Sequence, residues 1–172
     1  MQKEITLKTI AALVALAPIT CWSTKHYPKK EISKLGMNIK WHHGNQRIHF
    51  TLNAPTRGWL AIGFNESKEL SGTYLLMGNV IGEETNVVEH YTQNPGNYSP
   101  ISELGGFSQV KDIQGMENEF GSTISFSLPI KPTGKLKKQL KPGSNYSLLI
   151  AYSQEDDFQH HSIKRTAVPI VL

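Results

Sequence analysis

Cysteine is nearly missing from this chain, whose 172 residues include only Cys21. No disulfide can form within the chain, so a packed core has to stabilise the fold. Positions 18–20, directly before the cysteine, are Pro, Ile and Thr. A lipoprotein signal has small residues there, and the sequence therefore does not favour lipid anchoring at Cys21.

The sequence also has no nucleic-acid-binding signature and no recognisable catalytic motif. The formal net charge of +4 at pH 7 is not concentrated on a helical or zinc-finger signature, so nucleic acid is not a predicted partner. We find no nucleophile elbow, no phosphate-cradling glycine loop and no carboxylate pair in a supporting context. We therefore predict no catalytic residues and expect that the chain is not an enzyme by itself.

Long hydrophobic runs are confined to the N-terminus. Residues 9–22 are uncharged, follow Lys3 and Lys8, and end at the polar residue Ser23. The run is too short to span a bilayer but has the length of a signal-peptide core. We predict a cleaved signal peptide over residues 1–23, export to the periplasm or the extracellular space, and no transmembrane segment in the mature chain. A buried or amphipathic N-terminal helix is the alternative.

The most apolar stretch outside the N-terminus is residues 54–64. Its large side chains Leu60, Ile62 and Phe64 alternate with the small residues Ala61 and Gly63, which is the two-residue period of a β-strand. Small residues along one face predict that something bulky lies against that face. It is either the facing sheet of a sandwich or a flat ligand.

Short strand-like segments separated by turns make up the rest of the chain. Residues 37–41 and 48–52 alternate apolar and polar side chains about a turn at residues 43–45, which predicts a hairpin. An all-β fold is therefore predicted, an antiparallel β-sandwich of about ten strands over residues 36–172, after a flexible lead-in at residues 24–35. Further strands are predicted at residues 58–64, 72–81, 85–91, 107–113, 121–128, 146–152 and 160–172, and a loop at residues 94–106.

Residues 131–143 carry five lysines between proline and glycine residues. We interpret this segment as a solvated loop or short helix. A patch for anionic partners is the alternative.

The histidines are the best candidates for ligand chemistry. His160 and His161 follow an acidic turn at residues 155–157 and begin the last predicted strand. Neighbouring residues on a strand point to opposite faces, so one imidazole can face the interior and the other the solvent. An interior imidazole needs a partner, which can be a carboxylate, a backbone group, a metal or a haem iron. A metal carrier using His160 or His161 with another histidine is therefore one candidate function, and His161 is the first candidate metal ligand.

Three motifs together resemble the DOMON domain family. They are Ala-Pro-Thr-x-Gly-Trp-Leu-Ala-Ile-Gly-Phe at residues 54–64, Gly-Thr-Tyr-Leu-Leu-Met-Gly-Asn-Val at 72–80, and Ala-Tyr at 151–152 followed by Asp-Asp-Phe and His-His-Ser between residues 156 and 162. The resemblance runs over residues 36–172 and implies an exported immunoglobulin-like β-sandwich that binds b-type haem or a sugar between its sheets. Related domains occur beside dopamine β-hydroxylase-type oxygenases and as the cytochrome part of cellobiose dehydrogenase.

The resemblance also implies where haem would be held. In haem-binding members a methionine and a histidine are the axial ligands, which gives electron transfer without an open iron position. The histidine corresponds to the doublet, and to His161 before His160. The family's methionine position is Leu70 here, and Met77 in the following strand is the substitute candidate, or else a core residue. The leading prediction is thus an exported ligand-binding domain that holds haem b and exchanges electrons with a redox partner protein.

A haem-free binding module is the alternative prediction. It would recognise a sugar or another small ligand, with Trp41, Trp59 and Tyr152 as stacking surfaces. Each of these three side chains also fits the core of a sandwich.

Overall fold

The computed structural model describes residues 28–172, which form two packed antiparallel β-sheets. The predicted signal peptide and the first residues of the lead-in lie outside this range. Within it no helix is long and apolar enough to cross a membrane. The strands are β1 (Lys30–Lys34), β2 (Met37–His43), β3 (Arg47–Ala54), β4 (Leu60–Asn65), β5 (Tyr74–Ile81), β6 (Glu84–Asn94), β7 (Asn97–Pro100), β8 (Lys111–Asn118), β9 (Gly121–Pro129), β10 (Asn145–Tyr152) and β11 (Lys164–Val171).

The strands are divided between a five-stranded and a six-stranded sheet. The smaller sheet has the order β1-β2-β3-β9-β8, and the larger has the order β11-β10-β4-β5-β6-β7. All neighbouring strands are antiparallel, so the predicted all-β antiparallel sandwich is confirmed. The predicted hairpin is also confirmed as β2–β3, whose turn is closed by the Gly44 amide donating to the Arg47 carbonyl at 2.7 Å.

Three segments differ from the sequence prediction. Residues Lys30–Lys34 of the predicted flexible lead-in form β1, because Ile32 pairs with Ile39 of β2 and packs against the core. Residues Asn97–Pro100 of a predicted loop form the short edge strand β7. The weakly predicted strand at residues 107–113 begins only at Lys111, because β8 is an exposed edge strand with a bulge near Asp112 and shows no apolar alternation.

Large apolar side chains from both sheets fill the space between them. Phe64 of β4 lies 5.6 Å, ring centroid to ring centroid, from Phe50 of β3 and 5.8 Å from Tyr146 of β10. Leu60 and Ile62 point to the same side as Phe64 and are fully buried. The regular alternation of β4 thus places its large side chains inward, and Ala61 and Gly63 on the outer face of the six-stranded sheet.

The lysine-rich segment at residues 131–143 is not simply solvated, because one of its lysines is a core residue. The Lys137 ammonium lies 3.0 Å from a Glu89 carboxylate oxygen, and the two side chains are 2% and 1% exposed. The Tyr74 hydroxyl and the Gln109 amide both donate hydrogen bonds to that carboxylate. Lys137 also donates to the Phe107 carbonyl at 2.7 Å. The ion pair of Lys137 and Glu89 thus links the β7–β8 connection and the β9–β10 connection to the six-stranded sheet.

Candidate functional site

A second apolar cluster lies on the outer face of the six-stranded sheet, away from the space between the sheets. It consists of Trp59, Ala61, Leu75, Met77 and Ala151, each of them buried. In the strand register Ala151 pairs with Ala61, and Ala61 pairs with Met77. Two small residues therefore lie beside Met77 in one row across the sheet, and this row is the floor of a depression.

The depression is a pocket of about 70 Å³ that we call the outer-face pocket. Its floor is the apolar cluster, and its walls come from the loop before β5, the β6–β7 hairpin and the segment after β10. Besides the five cluster residues, its lining comprises Leu70, Thr92, Gly96, Tyr98, Leu149, His161, Ser162 and Arg165.

The bulky neighbour predicted for Gly63 is a pair of side chains of the protein itself. A Cβ atom at Gly63 would lie 2.6 Å from the Thr73 methyl carbon and 3.2 Å from the Leu149 Cβ. The protein thus fills this part of the outer face without any ligand. The ligand space that remains lies over Ala61 and Ala151.

The segment of residues 153–163, which we call the closing loop, is fastened to the sheet through its backbone. The Trp59 amide donates to the Glu155 carbonyl at 3.0 Å, and the Asn79 side chain donates to the Asp156 carbonyl at 2.9 Å. The Tyr98 hydroxyl donates to the Phe158 carbonyl. Gly58 makes this approach possible, since a Cβ there would lie 2.4 Å from the backbone of Gln154.

Aromatic rings fill the space under the closing loop. The ring of His90 lies edge-on to Tyr98 at 5.7 Å and to Phe158 at 5.8 Å between centroids. Burial lowers the pKa of His90, against a smaller opposing effect of its hydrogen bond with the Val88 carbonyl. Burial also raises the pKa of Tyr98, and the Asp157 charge adds to that rise. Both side chains are therefore uncharged at neutral pH.

The structure brings His161, Met77 and Leu70 together in the lining of the outer-face pocket. His161 is exposed, and its backbone carbonyl accepts a hydrogen bond from the Ser153 hydroxyl at 3.2 Å. Met77 is 1% exposed and packs within the floor cluster. Leu70, at the position where the family pattern has methionine, lines the same pocket. His161, which is distant in sequence, therefore lies at the same site as Leu70 and Met77.

His160 does not line this pocket. Its Nδ1 lies 3.4 Å from an Asp157 carboxylate oxygen, and both side chains are exposed. The expectation that one of the two neighbouring imidazoles is interior fails, because the doublet belongs to the closing loop and β11 begins only at Lys164. Among residues 28–172 no group of three or more His, Cys, Asp or Glu side chains is arranged to hold a metal ion.

Of the three aromatic residues predicted as stacking surfaces, only Trp59 lines the pocket. Its indole Nε1 is buried without a hydrogen-bond partner in the described part of the chain. Trp41 and Tyr152 belong to the core between the sheets, each 5% exposed. The Tyr152 hydroxyl donates to the Leu35 carbonyl at 3.0 Å. They are therefore packing residues and do not contact the outer-face pocket.

The expected location of the ligand is corrected as well. The family resemblance implied a ligand between the sheets, but large side chains such as Phe50 and Phe64 occupy that space. The pocket lies instead on the outer face. Tyr98 and Arg165 at this site were not predicted from the sequence, and Phe158 was noted only as part of the Asp-Asp-Phe motif. Tyr98 lies in a segment whose composition predicts a loop, so no strand alternation marked it.

Comparison with known proteins agrees with this architecture. A sequence model of the DOMON domain matches residues 33–153. The cytochrome domain of Myriococcum thermophilum cellobiose dehydrogenase is similar in structure, with a TM-score of 0.60 and 8% identity over 85% of this chain and 82% of that chain. The cytochrome b domain of pyranose dehydrogenase from Coprinopsis cinerea gives a TM-score of 0.59 and 10% identity over 82% and 80%. No curated protein sequence gives a significant match. At these identities the structural likeness establishes the fold alone.

Proposed function

Because the chain belongs to the DOMON domain family, we propose that it is a ligand-binding domain, not an enzyme by itself, and that the outer-face pocket is its ligand site. The observation that supports this most directly is the convergence of His161, Met77 and Trp59 on one apolar pocket. A mostly apolar wall with a few polar groups is typical of sites for small molecules and cofactors.

Haem b is the first candidate ligand, and the donor groups of the pocket fit it. His161 supplies an imidazole nitrogen and Met77 a thioether sulfur, both of which ligate haem iron in proteins. The two similar structures are named as cytochrome domains, which also favours haem. A haem held by two side chains transfers single electrons and leaves no iron position for substrate. Leu70 offers no donor atom, so Met77 would be the second residue to hold the iron.

The size of the pocket sets a condition on this proposal. Its volume of about 70 Å³ is well below the roughly 300–1,000 Å³ of ordinary ligand pockets. A ligand as large as haem therefore requires the closing loop to move outward. The contacts that this movement breaks are the hydrogen bonds to the loop carbonyls, including the one from Tyr98 to Phe158.

A haem-free binding domain is the second candidate, and two observations favour it. The pocket as it stands suits a ligand smaller than haem, and a leucine occupies the methionine position of the family pattern. In this case Trp59 is the aromatic contact, and its unpaired indole N–H would donate to an acceptor of the ligand, such as a sugar oxygen.

The absorption spectrum of the full chain produced in haem-replete cells separates the two candidates. With haem, reduction gives sharp α and β bands that are lost in His161→Ala and retained in His160→Ala, the matched control in the same loop. Met77→Leu keeps the volume of the floor and removes only the sulfur, so it changes the spectrum if Met77 is a ligand. A colourless wild-type protein that also fails to take up added hemin rules out the haem proposal.

We infer further that the domain acts outside the cytoplasm and, with haem, passes electrons to a partner protein. The support for export is the sequence pattern of residues 1–23. Cell fractionation and the intact mass of the recovered protein test it, since cleavage near Ser23 gives a mature chain that lacks the N-terminal segment. Full-length protein recovered from the cytoplasm contradicts export.

A further inference from the structure

The outer face of the five-stranded sheet carries a pair of histidines that the proposed ligand site does not use. His42 of β2 and His49 of β3 are direct cross-strand partners in the register. Their imidazole rings are stacked, with centroids 4.9 Å apart and planes 8° from parallel. Both side chains are half-buried, so one edge of the pair faces solvent.

The surroundings leave the nitrogen atoms of this pair available. Neither ring forms a hydrogen bond with the part of the chain that the structure describes. His43, the neighbour in sequence, points to the opposite face and contacts the Leu140 carbonyl at 2.9 Å. Burial lowers the pKa of His42, and the proximity of His49 and of Lys29 lowers it further.

We propose that His42 and His49 form a surface binding site for one divalent transition-metal ion of the kind that prefers imidazole nitrogen, namely Cu²⁺, Ni²⁺ or Zn²⁺. Two imidazole nitrogens on one such ion, each at about 2.0–2.1 Å, lie at most about 4.2 Å apart. The distance of 4.9 Å separates the ring centroids, and because the two planes are within 8° of parallel the rings must turn before a nitrogen of each faces one ion. Rotation about χ2 of histidine is soft, so this turn needs no movement of the backbone.

The sheet supplies the preorganisation for this site. β2 and β3 are interior strands of the five-stranded sheet, so the two backbone positions are held on both sides and little ordering is needed on binding. No third His, Cys, Asp or Glu joins the pair among residues 28–172. Water therefore completes the coordination, and the ion remains accessible to solvent. The site is independent of the outer-face pocket, which lies on the other sheet.

The charge of Lys29 gives the proposal a test in two directions. Lys29 directly precedes β1, whose first residue Lys30 pairs with Trp41, so its positive charge lies near His42 and opposes a bound cation. Removing either histidine must weaken binding, whereas removing the lysine charge must strengthen it. Loss of folding could explain weaker binding in the histidine variants, but it could not explain tighter binding in the lysine variant.

Titration calorimetry of the full chain with Cu²⁺ or Ni²⁺ alone tests the site. We expect His42→Gln and His49→Gln each to weaken one binding event by at least about ten-fold, because even the outer-shell partners of metal ligands are worth about 10- to 100-fold in affinity. Lys29→Gln should tighten the same event, and His160→Gln should leave it unchanged. Electron paramagnetic resonance of the wild-type protein with one equivalent of Cu²⁺ should report two nitrogen ligands, whether or not the variants fold. Wild-type affinity in both single variants, loss of binding in His160→Gln, or no binding by the wild-type protein overturns the proposal.

Discussion

Exchange of Lys137 for methionine is expected to destabilise the protein by about 3–5 kcal/mol, the usual cost of removing one partner of a buried ion pair. The carboxylate of Glu89 would remain 1% exposed, with only the Tyr74 hydroxyl and the Gln109 amide as donors. Those two hydrogen bonds do not neutralise its charge. Methionine keeps most of the volume of lysine, so the loss measures the missing charge and not a cavity.

A double-mutant cycle isolates this effect. Glu89→Gln should destabilise the wild-type protein, because it leaves the Lys137 ammonium buried without a countercharge. In the Lys137→Met background the same substitution should stabilise, because it removes the unpaired carboxylate. This reversal of sign is the result that a purely local packing effect does not produce.

Urea unfolding followed by tryptophan fluorescence provides the free energies for the cycle. Lys138→Met is the matched control, since Lys138 pairs at 3.3 Å with a Glu66 side chain that is 77% exposed. Surface pairs of this kind contribute about 0–1 kcal/mol. A loss below about 1 kcal/mol in Lys137→Met, equal to that of the control, would refute the assignment of Lys137 and Glu89 as a buried pair.

Three further predictions concern the outer-face pocket and the buried tyrosine. Gly63→Ala should cost about 1–3 kcal/mol of unfolding free energy by overpacking against Thr73. Adding Thr73→Ser, which removes the clashing methyl group, should restore most of the lost stability. Equal losses with and without Thr73→Ser contradict this contact. Tyr98→Phe removes one hydrogen bond worth about 1 kcal/mol. Amide hydrogen exchange within residues 154–163 should therefore accelerate about five-fold. Unchanged exchange in these residues would show that Tyr98 does not hold the closing loop. Burial, and next the Glu89 charge, raise the pKa of Tyr74 well above 10.0. The contribution of neutral Tyr74 to the free energy of unfolding is therefore complete below the pKa of unfolded tyrosine and is lost as pH rises above that value. Tyr74→Phe should show a smaller alkaline loss of stability in urea titrations.

Much of the fold was accessible from the sequence because strands with one polar face alternate visibly. The alternation of β2 and β3 predicted their hairpin, and β9 was equally clear. β1, β7 and β8 were missed or misplaced, because edge strands are short, exposed and polar, and are held mainly by backbone pairing with a neighbour. Backbone pairing is possible for almost any side chain and leaves little pattern to read.

Some features of the candidate site could likewise be predicted from the sequence, and others could not. The motif at residues 54–64 identified the family, the histidine doublet was found as a candidate by its chemistry, and Met77 followed from the family resemblance. Which face of the sheet they share was not accessible, since β4 is buried along its whole length and its pattern is apolar on both faces. The same limit made Trp41 and Tyr152 look equivalent to Trp59, although only Trp59 reaches the pocket.

The sequence by itself determined that the chain is an all-β sandwich of the DOMON family, because residue alternation and a contiguous motif are local properties. Only the tertiary structure decided that the pocket lies on the outer face, that Lys137 is a core residue and that Leu70, Met77 and His161 line one pocket. Each of these depends on which distant residue occupies a given place. Burial and pairing are properties of two parts of the chain together, and neither part carries them alone.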